Sequence, residues 1–134
     1  MTPFKIILKP GQSIFDQVVF AAVKAILSGS LKEGEAFPSV RALATDLKIH
    51  PNTAHKVIQH MIHERWLIAS PGIGTVVAKP PMARSGDRQH LLNHEVEQLV
   101  VEARRVGASL KEVTDSLERH WRSLDHLKDV SNDR

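Results

Sequence analysis

Apolar residues recur at helical spacing in three stretches of the first half of the chain. Phe15, Val18, Val19, Ala22 and Ile26 share one face of a segment that opens at Ser13 and closes at Gly29. The spacing predicts a helix from Ile14 to about Ser28, with Ser13 as its N-cap. Pro38-Ser39 opens a second, shorter segment, in which Val40, Leu43, Ala44 and Leu47 follow the i, i+3, i+4, i+7 pattern of a buried stripe. Ser39 is its predicted cap. A third segment starts at His50-Pro51, proline being suited to the first helical position. Its apolar face is Ala54, Val57, Ile58, Met61 and Ile62, and its opposite face is Asn52, His55, Lys56, Gln59 and His63, with no acid until Glu64. Two short apolar runs, Leu67-Ile68-Ala69 and Thr75-Val76-Val77-Ala78, flank Pro71-Gly72-Ile73-Gly74 and predict a β-hairpin.

A breaker-rich stretch follows, Lys79-Pro80-Pro81 and then Arg84-Ser85-Gly86-Asp87. Beyond it the helical pattern returns. Leu92, Val96, Leu99, Ala103 and Val106 alternate spacings of four and three, a heptad-like stripe that Gly107 ends. Ser109-Leu110-Lys111-Glu112 fits a capping box. The helix it opens carries Leu110, Val113, Leu117, Trp121 and Leu124 on one side and frays after about Lys128. The expected fold is mainly α with a small β-hairpin: an N-terminal winged helix-turn-helix over residues 1–79, a linker over 80–87 and a two-helix C-terminal dimerisation hairpin over 88–130.

Charge sharpens this division. The net charge is +3 and the pI about 9.5. Residues 1–80 hold nine Lys/Arg against five Asp/Glu, whereas residues 81–134 hold nine against ten. A basic front and a balanced rear place any polyanionic partner on the front. The major groove of B-DNA admits one α-helix, and side-chain donors and acceptors near that helix's N-terminus read base edges. Asn52, Thr53, His55 and Lys56 occupy that position in the third helix, and Gln59 lies one turn on. Asn pairs bidentately with adenine, and Lys donates to guanine or phosphate. Arg41, in the first turn of the second helix, lies where the helix N-terminus also favours a phosphate.

These residues resemble a known family. From Ser28 to Ala78 the chain is similar to the DNA-binding domain of bacterial GntR-type transcription regulators, through Gly29, Gly34, Pro38-Ser39-Val40-Arg41, Leu43-Ala44, Asp46-Leu47, Pro51-Asn52-Thr53 and Gly72-Ile73-Gly74-Thr75. Asp16-Gln17 also fits. The short tail makes it most like the YtrA-type subgroup. The resemblance implies that Ser39 and Arg41 face the DNA backbone or a base edge, that Asn52, Thr53, His55, Lys56 and Gln59 belong to the recognition helix, and that Gly72 and Gly74 form the wing tip. It also implies repression of transporter genes. Four positions depart from the pattern. Lys48 and Arg65 stand where the family commonly has glycine, and Ser70-Pro71 where its wing carries basic residues. A weak wing contribution is therefore expected.

The tail's two apolar stripes need a second layer, either the front domain or the same hairpin of another chain; the preferred expectation is a homodimer clasped through Leu92, Val96, Leu99, Ala103, Leu110, Val113, Leu117, Trp121 and Leu124. An unidentified small-molecule effector, if there is one, would have to sit between subunits in this tail. The alternative function is a winged-helix adaptor whose third helix binds a protein partner. Enzymatic chemistry is not expected: there is no paired carboxylate, serine–histidine arrangement or phosphate-cradling loop. The absence of cysteine removes thiolate sites and disulfides. Of the eight histidines, His60 with His63 and His90 with His94 are spaced to share a ligand face, but neither pair has a third ligand at a recognisable spacing. No metal or other cofactor is expected. Without a secretory signal or a long apolar run, the expected location is the cytoplasm, with no membrane partner.

Overall fold

Ser13 caps α1 (Ile14–Leu27), its hydroxyl accepting the Asp16 backbone N–H at 3.2 Å. Ser39 does the same for α2 (Val40–Leu47), accepting from Ala42 at 3.1 Å. The computed structural model describes residues 2–132, with side chains as far as Asp125. In α3 (Pro51–His63) the cap is a histidine: Nδ1 of His50 accepts the Asn52 N–H at 3.0 Å. An imidazole nitrogen accepts only when it carries no proton, so His50 serves this helix through an unprotonated Nδ1.

The helix ends turn through left-handed residues. Gly29 closes α1 at φ 86°, but Lys48 (φ 55°) and Arg65 (φ 70°) close α2 and α3. A side chain in that region costs about 1 kcal/mol relative to glycine. The bonds formed there offset it. The N–H groups of Lys48 and Ile49 converge on the Ala44 carbonyl, and those of Arg65 and Trp66 reach Ile62 and Met61 at 3.0 and 2.9 Å. The two departures from glycine thus fall on positions where the backbone is left-handed.

Strands β1 (Leu67–Ser70) and β2 (Gly74–Val77) pair antiparallel, Leu67 opposite Val77 and Ser70 opposite Gly74. The hydropathy pattern predicts no element for residues 30–37 or 2–12, yet the fold uses both. The Phe37 N–H donates to Thr75 and the Val77 N–H to Glu35, each at 2.8 Å, so residues 35–37 border the free edge of β2. At the N-terminus Phe4 is buried beside Phe37, ring centroids 6.1 Å apart. Gln17 of α1 pins the adjoining segment, accepting the Lys9 N–H at 2.8 Å and donating to the Lys9 carbonyl at 3.1 Å. The core lies among α1, α2, α3 and the hairpin, where Val18, Ala22, Leu43, Ala54, Val57, Met61 and Leu67 are completely buried.

The chain divides after Pro81, and the second unit spans Met82–His126. In it α4 (Asp87–His90), a π-helical stretch (Leu91–Glu95) and α5 (Val96–Val106) run on without a break. The spacing predicts a regular helix here; the structure inserts one wide turn, in which the Val96 N–H donates to Leu91, five residues back. Gly107 (φ 78°) ends α5, with its N–H on Arg104 and that of Ala108 on Ala103. The capping box forms as the sequence predicts: Ser109 Oγ accepts from the Glu112 N–H at 3.1 Å, and Glu112 accepts from the Ser109 N–H at 2.9 Å. Those bonds, the backbone one first, hold the Glu112 carboxyl below its ordinary range. The last helix, α6 (Leu110–Asn132), continues past Lys128. Among the described residues no helix is long and apolar enough to cross a membrane.

Candidate nucleic-acid interface

Burial sorts α3 into two faces. Ala54, Val57, Ile58 and Met61 point into the core, and Asn52, His55, Lys56, Gln59 and His63 are exposed. Pro51 begins the helix and has no N–H to satisfy, while the His50 cap takes the N–H of Asn52. The opening turn is fixed by backbone bonds from Thr53 and Ala54 to the His50 carbonyl, at 3.0 and 3.1 Å. Asn52 and Lys56 therefore stand on a rigid helix start.

The donors on this face are uncommitted. Among the described residues the side chains of Arg41, Asn52, His55, Lys56 and Gln59 make no hydrogen bond or ion pair within the chain. Exposed helices usually spend such groups on neighbouring side chains, as Arg105 does on Glu102 and Lys111 on Asp115 in the second unit. Unspent donors on an acid-free face are what a polyanion meets with least competition. Thr53, in the same turn as Asn52, is half-buried.

The other sequence-predicted residues have more specific positions. Arg41 is exposed in the first turn of α2. Ser39 is committed through its lone pair to capping α2, which leaves its O–H as the group to offer a phosphate. Gly72 (φ 79°) and Gly74 (φ 104°) carry the turn of the hairpin, closed by the Ile73 N–H on the Ser70 carbonyl at 3.1 Å. This tip presents exposed Ile73 and no cation, so the wing adds little charge to the surface. His60 faces the core side: its ring meets Phe15 of α1 edge-on, centroids 5.2 Å apart. The sequence expectation did not include the capping role of His50, although a histidine before an N1 proline with no Ser, Thr, Asp or Asn at hand was its signal.

The tail residues are placed differently. Leu92, Val96, Leu99, Leu110, Leu117 and Trp121 are 40–79% exposed, and Ala103, Val113 and Leu124 are half-buried. No residue of the second unit is fully buried among those described. The two stripes do not cover each other within this chain.

A three-helix unit whose third helix offers free donors beside a two-stranded wing defines the winged helix-turn-helix class of DNA-binding folds. Residues 16–77 match the family of bacterial regulatory proteins, gntR family, and the chain carries a GntR-family domain. Over 103 residues it is 27% identical to the HTH-type transcriptional repressor YtrA of Bacillus subtilis (strain 168), covering 75% of this chain and 78% of that protein. Two solved structures show the same fold. One is a transcriptional antiterminator from Listeria monocytogenes EGD-e, with a TM-score of 0.76 at 22% identity over 90% of this chain and 91% of that one. The other is a GntR family transcriptional regulator from Listeria monocytogenes, with a TM-score of 0.61 at 18% identity over 84% and 98%. Through residues 16–77 and through the Bacillus relative the chain is similar to GntR-family transcription regulators.

Proposed function

We propose that the chain is a cytoplasmic repressor that binds double-stranded DNA sequence-specifically, as a homodimer on an inverted-repeat operator. The observation that carries this reading is the set of uncommitted donors on α2 and α3: Arg41, Asn52, His55, Lys56 and Gln59. Asn52 and Lys56, on the first turns of α3, take the base edges, and Arg41 takes a phosphate. The tail pairs two such readers through its exposed stripes, since an apolar face of that length is covered by a second layer in a stable protein. Repression follows the Bacillus relative's name. Transporter genes as the target rest on the resemblance to the YtrA-type subgroup alone.

Two variants separate phosphate contact from base reading. Arg41→Ala is expected to weaken binding to all duplexes alike and to lower the salt dependence by about one ion. Asn52→Ala is expected to cost about 1–3 kcal/mol on the preferred duplex and to relax choice at one base position. Fluorescence anisotropy against a duplex panel at several salt concentrations measures both. If each variant binds every duplex as the wild type does, α3 does not read DNA.

A further inference from the structure

The π turn in the tail brings Glu95 to a histidine pair from which a regular helix would keep it apart. His90 and His94 are four residues apart and lie on one face, their rings stacked with centroids 4.8 Å apart. Glu95, five residues from His90, would point away from that face in an α-helix. In the wide turn of Leu91–Glu95 it lies over His90 instead, its Oε1 3.2 Å from the imidazole Nε2. One ligand atom from each of the three falls within 4.8 Å of the others.

We propose that His90, His94 and Glu95 form a binding site for a divalent transition-metal ion, zinc foremost. Two ligands about 2.1 Å from a shared tetrahedral ion stand about 3.4 Å apart, so His90 and Glu95 already sit at ligand spacing. His94 reaches the same point by rotating an exposed ring. Two imidazoles and one carboxylate suit zinc, cobalt, nickel or copper, whereas magnesium and calcium take oxygen ligands. Three protein ligands leave a position for water, which the exposure of all three residues permits. His60 and His63, the other pair at helical spacing, form no such group, because the His60 ring is packed against Phe15. The site uses none of the residues proposed to meet DNA, so it stands or falls apart from that reading.

The test is calorimetric titration of the tag-free, full-length chain with zinc chloride, with the visible absorption of added cobalt(II) as a second readout. One ion per chain is expected. His94→Ala is expected to weaken binding at least about tenfold, since loss of even an outer-shell partner costs that much at metal sites. Glu95→Gln should weaken it as well, and the double variant His60→Ala/His63→Ala should bind like the wild type. The three ligands are exposed, so circular dichroism should show each variant folded. No saturable binding, or binding that His94→Ala and Glu95→Gln leave unchanged, overturns the proposal.

Discussion

The double variant Leu117→Glu/Trp121→Glu is expected to sediment as a monomer and to bind operator DNA roughly 10²–10⁴-fold more weakly than the wild type. Leu117 and Trp121 are 50% and 69% exposed in the single chain, so carboxylates there cost the isolated subunit little. In the proposed dimer the same positions are covered, and an unpaired charge buried at an apolar interface costs several kcal/mol. Each reader would then hold a half-site alone and lose the gain that comes from linking two binding events. Analytical ultracentrifugation and anisotropy titration measure the two effects together. A variant that remains dimeric, or a monomer that keeps wild-type affinity, removes the tail from the account.

Leu43→Ala is expected to destabilise the first unit by about 2–5 kcal/mol, measured as a lower urea midpoint with an unchanged slope. Leu43 is completely buried in α2 and belongs to the same core as Ala54, Val57 and Met61 of α3. Its removal leaves a cavity in the core that orients the helix-turn-helix. Domains of this size have about 5–15 kcal/mol to lose, so the folded fraction should fall measurably at 37 °C. A change below about 1 kcal/mol would show that α2 and α3 are held by something other than this core.

The helices of the first unit were legible because period and punctuation agree there. Ser13 and Ser39 sit just before their apolar stripes, and both cap as expected. Lys48 and Arg65 stood out against the glycine common at those positions, and their left-handed backbones show that the chain keeps the turn geometry without the usual residue. The contribution of residues 2–12 and 35–37 was not legible, because single apolar residues such as Phe4 and Phe37 have no period to betray them; they are placed by contacts distant in sequence. Hydrophobic spacing also could not show the π turn. Leu92 and Val96 keep an interval of four through it, and only the backbone reveals that Glu95 has joined His90. In the candidate interface, exposure of Asn52, His55, Lys56 and Gln59 followed from helical phase. Their freedom from intramolecular bonds needed coordinates.

The central claim, that α3 reads duplex DNA for a pair of subunits, is tested most directly by selecting bound duplexes from a random pool with the wild-type chain. The expected result is enrichment of a two-fold inverted repeat, with half-sites about one helical turn apart or a multiple of it, bound less tightly as salt rises. A pool that stays random after repeated rounds, or binding indifferent to salt, would contradict it.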